Sequence, residues 1–268
     1  TVQGFRRKID FENVKRVIKL GKGLLQAKKI VRKFNPDIVI GTGGYVSGPV
    51  IRMAAKMGIP TAIHEQNAYP GVTNKALAEK VDAVMLTVEA AKKHLNCKNE
   101  PIITGLPVRG ELLTADGDIS RAELGFDQKP LVLCMGGSLG ARAINEAVID
   151  AIADGRKSKY NYLISTGQYG LWVPDKMREK GVDPENTPNL EIREYISDMD
   201  VCMSAADVVI CRAGASSLSE IQALGKPSIL IPSPNVTENH QFHNAMALVN
   251  KNAAVISEDR DLNGGRLG

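Results

Sequence analysis

Residues 130–153 read PLVLCMGGSLGARAINEAVIDAIA. Residues 130–135 are apolar without polar alternation, as in a strand buried on both faces of a parallel sheet. Glycines follow at 136, 137 and 140, where backbone N–H groups can come close to an oxygen-rich ligand. Residues 143–153 then form a helix, whose N-terminus carries partial positive charge suited to a diphosphate. The same junction also reads as a plain tight turn. It is not a Walker A loop, because no Gly-Lys-Ser/Thr follows. It does not fit G-x-G-x-x-G with a suitably placed acidic residue either, so a dinucleotide is not favoured.

The rhythm of this stretch recurs along the chain. Strands are predicted at 37–41, 60–64, 82–86, 101–104, 130–135, 160–165, 190–193, 207–211, 227–231 and 253–257, with helical stretches between most of them. An amphipathic helix is predicted over 11–33, ended by Pro36-Asp37. Such alternation implies parallel α/β sheets. Gly105, Pro107, Gly110, Gly117 and Gly125 cluster between two strand series. The boundary is therefore placed near residue 108, giving two Rossmann-like domains, 1–108 and 109–268.

In such folds ligands bind beyond the carboxyl ends of strands, and three more strand ends carry suitable loops. Gly41-Thr-Gly-Gly-Tyr-Val-Ser-Gly-Pro49 follows the first strand. Arg212-Ala-Gly-Ala-Ser-Ser-Leu-Ser-Glu220 follows strand 207–211, with Gly214 at the turn. Its backbone N–H groups suit phosphate, and Glu220 suits two vicinal ribose hydroxyls, although helix N-terminal charge complementarity also accounts for it. Pro232 to Gln241 follows strand 227–231. Asn239, His240 and Gln241 offer the donors and acceptors a sugar needs, and Asn239 also reads as a helix N-cap.

Composition narrows the class. With 268 residues, 43% hydrophobic and 24% charged, the chain is globular, with room for one large or two ordinary domains. Aromatics at 4% argue against nucleic acid as a partner. Cys97, Cys134, Cys202 and Cys211 show no C-x-x-C spacing and read as reduced thiols of a cytosolic protein. No run of 18 apolar residues and no signal peptide is read. Residues 1–34 hold eleven Lys/Arg against Asp10 and Glu12, a net of +9 in a chain of +4. That asymmetry predicts an anionic membrane surface as a partner.

The segments GTGGYVSGP, HEQNAYPGVTNK, GLPVR, GGSLGAR, DVVICRAGASSLSE and NHQFHNA span residues 41 to 245. In order and spacing they resemble the MurG family within glycosyltransferase family 28. The resemblance implies a GT-B fold, with two parallel sheets facing across a cleft. It implies an inverting transfer of N-acetylglucosamine from UDP-GlcNAc to the C4 hydroxyl of the muramyl sugar of lipid I, giving lipid II on the inner face of the plasma membrane. It assigns the uracil to Ile196, the ribose to Glu220, and the diphosphate region to Ser138 and the turn of Gly214, Ala215, Ser216, Ser217, Leu218 and Ser219. The resemblance also implies that Arg109 approaches the donor, that Asn67 and Gln241 hold the N-acetylglucosamine, and that Gly43, Gly44 and Tyr45 face the acceptor diphosphate. His240 stands where the family usually has Gln. The family's first glycine-rich loop, with its candidate catalytic histidine, lies upstream of residue 1. The base is therefore unassigned, with His64 and Glu65 the titratable candidates within the chain.

No cofactor and no metal are expected. Asp116/Asp118, Asp198/Asp200 and Asp259/Asp261 form Asp-x-Asp patterns, but turns and helix caps account for them. His240 and His243 share a helix face without a third ligand. Two other readings stay open: a lipid glycosyltransferase with a diacylglycerol acceptor, and a UDP-sugar-binding subunit without activity alone. A UDP-sugar epimerase shares the fold class.

Overall fold

The computed structural model describes residues 11–155 and 159–262, with side chains from residue 21. Much of the basic segment, residues 1–10 and the side chains of 11–20, lies outside that range. Backbone contacts divide the chain between Leu106 and Pro107.

The first unit carries β1 (Val39–Gly41), β2 (Thr61–Glu65), β3 (Ala83–Leu86) and β4 (Ile102–Ile103), all parallel and paired in that order. Helices α1 (Phe11–Phe34), α2 (Gly44–Lys56) and α3 (Val72–Leu77) accompany them. Strand β2 is buried along its whole length, as its unbroken Thr-Ala-Ile-His-Glu run requires. Ile51, Ile63, Leu77 and Leu86 form the core. On α1, Ala27 and Val31 are buried, whereas Leu25, Ile30 and Phe34 are exposed.

The second unit carries helices α4 (Gly110–Thr114), α5 (Gly117–Glu123), α6 (Arg142–Ala153), α7 (Val173–Glu179), α8 (Met199–Ala205), α9 (Ala215–Ala223) and α10 (His240–Val249). Its strands are β5 (Leu131–Met135), β6 (Asn161–Ser165), β7 (Leu190–Arg193), β8 (Val208–Cys211), β9 (Ser228–Leu230) and β10 (Val255–Ile256). They form one parallel sheet in the order β10-β9-β8-β5-β6-β7. Read from β7, this is the doubly wound order, and its direction reverses between β5 and β8. Strand β5 shows why its sequence lacks alternation: Leu131, Leu133 and Met135 enter one core, and Cys134 enters the other.

All ten predicted strands form, within three residues of the expected ends. The predicted helix over 11–33 forms as α1. The four cysteines are unbridged. Burial pushes the thiols of Cys202 and Cys211 up to about 12, so they remain protonated. Two expectations need correction. Asn239 stands at the N-cap of α10 with φ 50 and makes no side-chain cap bond there. Of the Asp-x-Asp residues, only Asp116 is shown capping a helix with its side chain, accepting from the N–H groups of Asp118 and Ile119. Asp198 instead pairs with Arg193 at 2.8 Å, and Asp259 pairs with Arg212.

Asp207, at the amino end of β8, ties that strand to β5. Its carboxylate accepts from Leu131 N at 2.7 Å and from Arg121 Nη2 at 2.6 Å. Partial burial alone raises its pKa, but the Leu131 N–H and the Arg121 guanidinium outweigh that and hold it below the ordinary carboxylate value. Its stabilisation is therefore complete above the unfolded-state pKa and is lost as pH falls through the lower folded value. Urea midpoints are expected to fall below about pH 5, and Asp207→Asn should flatten part of that fall. An equal fall in both proteins removes Asp207 from the acid response.

Candidate functional site

In the second unit a cavity of about 710 Å³ opens beyond the carboxyl ends of β5, β6, β7 and β8. It includes the strand-order reversal between β5 and β8, where open α/β sheets bind ligands. Of the residues singled out from the sequence, Arg109, Ser138, Ile196, Gly214, Ser217, Glu220 and Gln241 all line it.

The glycines after β5 do two different jobs. Gly137 has φ +87 and nothing within 4 Å of where a Cβ would stand, so it is open to the cavity it lines. Gly140, also at φ +87, faces Thr166: a Cβ there would lie 2.2 Å from the Thr166 carbonyl oxygen. Gly167, at φ +74, meets Gly140 from the other side: a Cβ on it would lie 2.0 Å from the Gly140 nitrogen. The loops after β5 and β6 thus touch backbone to backbone. Gln168 N–H donates to Ser138 O, and Tyr169 N–H donates to Leu139 O, both at 3.1 Å. This packing alone requires glycine at 140.

After β8, Gly214 turns the chain into α9. The first helical bond runs from Leu218 N to Gly214 O at 3.0 Å. The N–H groups of Ala215, Ser216 and Ser217 therefore have no partner in the helix, the arrangement that suits an anion at a helix N-terminus. Of the turn assigned from the sequence, Leu218 is 3% exposed and belongs to the core, and the Ser219 hydroxyl donates to Ala215 O at 3.0 Å. Glu220 Oε1 accepts from Arg109 Nη2 at 3.1 Å and Nε at 3.3 Å. Ile196 lines the cavity while its side chain sits in the core, so its backbone is the part that remains to bind. Gln241 Oε1 accepts from Ser233 N at 2.8 Å, which leaves its amide NH₂ as a donor.

Sequence reasoning missed Arg212. Its guanidinium is paired with Asp259 and also donates to Ile231 O at 3.2 Å and Pro232 O at 3.3 Å. Arginine at a strand end was a usable signal, but its partner stands 47 residues away.

In the first unit Gly43 forms the N-cap of α2 at φ 94, Gly44 follows at φ 75, and Tyr45 is exposed. His64 and Glu65 are the last two residues of β2, and both are buried. His64 Nε2 stands 2.9 Å from Gly105 O, and Nδ1 stands 3.2 Å from Gln66 Nε2. A carbonyl only accepts, so Nε2 carries the proton, and Nδ1 accepts from Gln66. Glu65 accepts four hydrogen bonds: from the N–H and amide of Asn67 at 2.9 and 3.2 Å, from Gly71 N at 3.0 Å and from Asn74 Nδ2 at 2.8 Å. It shapes the loop of residues 65–74 and orients Asn67. Both candidate bases are occupied by structural bonds. Among the described residues no three His, Cys, Asp or Glu side chains gather as metal ligands, and no helix is long and apolar enough to cross a membrane.

Comparison with known proteins agrees with this geometry. The glycosyltransferase family 28 N-terminal domain matches residues 1–86, and its C-terminal domain matches residues 131–268. A Bacillus cytotoxicus protein named UDP-N-acetylglucosamine--N-acetylmuramyl-(pentapeptide) pyrophosphoryl-undecaprenol N-acetylglucosamine transferase is 46% identical, over 97% of this chain and 71% of its own length. An Acetivibrio thermocellus protein of the same name is 45% identical, over 97% and 70%. The crystal structure of Acinetobacter baumannii MurG superposes with a TM-score of 0.74 at 29% identity, covering 99% of this chain and 72% of that one. A UDP-GlcNAc 2-epimerase from Methanocaldococcus jannaschii, with a TM-score of 0.60 at 15% identity over 92% of this chain and 72% of its own, shares the fold alone.

Proposed function

The chain belongs to glycosyltransferase family 28, and from that premise we propose that it performs the reaction its relatives are named for. N-acetylglucosamine passes from UDP-GlcNAc to the muramyl sugar of lipid I, the undecaprenyl-diphosphate-linked pentapeptide precursor. The C4 hydroxyl attacks the anomeric carbon from the face opposite UDP, the C–O bond to the diphosphate breaks, and the configuration inverts to a β1,4 link. The observation that carries this reading is the cavity at the β5/β8 reversal, where the open end of α9 meets Glu220 and Arg109.

At the cavity wall formed by Gly214 and Ser217, the N–H groups of Ala215, Ser216 and Ser217 at the start of α9 take the diphosphate, joined by Ser138 and Arg109. They stabilise charge as UDP departs. Glu220 takes the ribose hydroxyls and the Ile196 backbone takes uracil. Gln241 and, in the first unit, Asn67 serve the N-acetylglucosamine, and Gly43, Gly44 and Tyr45 serve the acceptor diphosphate. Transfer requires a base for the C4 proton. His64 and Glu65 are poorly placed for it, because both already serve structural bonds.

The test is transfer of labelled N-acetylglucosamine to lipid I and, in parallel, to diacylglycerol. A thermal-shift screen with UDP-GlcNAc, UDP-glucose and UDP reads the donor site separately. A lipid II product and stabilisation by UDP-GlcNAc are expected. A product with diacylglycerol alone, or stabilisation by none of the three, refutes the proposal.

The protein is further proposed to work at the inner face of the plasma membrane. Support comes from the net charge of +9 in residues 1–34 and from exposed Leu25, Ile30 and Phe34 beside exposed Lys28, Lys29, Arg32 and Lys33 on α1. Each basic residue at an anionic leaflet contributes about 1 kcal/mol, screened within a Debye length. Sedimentation with anionic vesicles is expected at low salt and should weaken as salt rises. Equal sedimentation with neutral vesicles removes the electrostatic claim.

A further inference from the structure

Arg212 lies where a cation would be expected to grip the diphosphate directly, yet its charge is already matched. It forms a two-point pair with Asp259, with Nη2 3.1 Å from Oδ2 and Nη1 on Oδ1. Both side chains are largely buried, with 15% and 25% exposed. The same guanidinium holds the carbonyls of Ile231 and Pro232. It therefore ties together the ends of three successive strands: its own after β8, the loop after β9, and the turn after β10 that bears Asp259. On the other side of the turn, Asn244 Nδ2 of α10 donates to Ala213 O at 3.2 Å. The turn into α9 is fixed from both flanks. The loop after β9 carries Ser233, whose N–H anchors Gln241.

We infer that Arg212 and Asp259 are a positioning pair. They set the open N–H groups of α9 and the Gln241 loop at their working separation, and they act through these elements instead of touching the nucleotide. The inference rests on the reading of this cavity as the UDP-sugar site. Asp259 supplies a decisive sign. It is an acidic group on the wall of a cavity for an anionic ligand. By charge alone, neutralising it should tighten UDP binding, both by removing repulsion and by freeing Arg212. As a positioning group, its loss should weaken UDP binding.

Calorimetric titration of the full chain with UDP tests this. Asp259→Asn is expected to raise Kd by about 10-fold or more, on the scale of effects that small misplacements produce. Arg212→Lys keeps the charge but loses the fork, and is expected to raise Kd as well. The double variant should be no weaker than the worse single variant, because both remove one device. Unchanged or tighter binding by Asp259→Asn overturns the inference, as does additivity in the double variant. Were Asp259→Asn not to fold, as read by its melting curve, Asp259→Glu takes its place with the same two outcomes. Failure of the unmodified chain to bind UDP refutes the functional reading instead.

Discussion

Gly167→Ala is expected to destabilise the second unit by about 3–5 kcal/mol, a large part of the 5–15 kcal/mol that holds an ordinary domain together. Two costs combine. Gly167 sits at φ +74, where an L residue pays about 1–2 kcal/mol. The larger cost is steric. A Cβ would stand 2.0 Å from Gly140 N, 2.3 Å from Gly140 Cα and 2.5 Å from Leu139 C. These are backbone atoms, and no rotamer change relieves them. The loops after β5 and β6 have to part, putting at risk the bonds from Gln168 N to Ser138 O, from Tyr169 N to Leu139 O and from Gly167 N to Glu194 O. Each contributes about 0.5–1.5 kcal/mol. Because Ser138 and Leu139 line the cavity, UDP binding should weaken in whatever fraction still folds. Gly181→Ala is the control: it has φ +76 but nothing within 4 Å of the added Cβ, so it carries the backbone cost alone. Urea denaturation of the two variants separates strain from close approach. If Gly167→Ala loses no more stability than Gly181→Ala, the loop-to-loop contact is not what Gly167 serves.

Gly167 and its partner Gly140 also mark where sequence reading stops. Strand β5 is legible because burial on both faces imposes an unbroken apolar run, and the starts of α2, α6 and α9 are legible because glycine-containing turns precede them. These are local signals with local causes. The contact of Gly140 with Gly167 is not local, and from the sequence alone Gly140 looks like a phosphate loop glycine. Glu65 shows the same limit. Next to His64 at a strand end it reads as an acid or base, but the fold brings Asn67, Gly71 and Asn74 round to its two oxygens. Helix register adds detail to the α9 turn that residue types do not carry. Leu218 is the residue at which N–H groups begin to find partners four residues back, so the ligand-facing run ends at Ser217. Arg212 and Asp259 meet only because β8, β9 and β10 lie side by side, an adjacency that residue types do not encode.

Glu220→Ala is expected to weaken UDP binding by about 1.5–3 kcal/mol, the range for hydrogen bonds to a charged group, or roughly 10- to 150-fold. Glu220 sits on the second turn of α9, 17% exposed, with its side chain at the cavity wall. Only Oε1 has a protein partner among the described residues, namely Arg109. The carboxylate is thus held in place by one oxygen with the other available to a ligand, an arrangement suited to vicinal hydroxyls. The change should leave stability nearly intact. Arg109 is 47% exposed, and so exposed an ion pair contributes about 0–1 kcal/mol. A fall in affinity then reports binding, not unfolding. The ribose assignment makes a sharper demand. The unmodified chain should prefer UDP over 2′-deoxy-UDP, because Glu220 loses a hydrogen bond to the deoxy sugar. Glu220→Ala should bind the two alike, since it has nothing left with which to tell them apart. Arg109→Ala removes the cation but keeps the carboxylate, so it should weaken both ligands while preserving most of the preference. Calorimetry with two nucleotides and three proteins reads all of this. If folded Glu220→Ala binds UDP as tightly as the parent, or keeps the parent's preference for the 2′-hydroxyl, Glu220 does not hold the ribose.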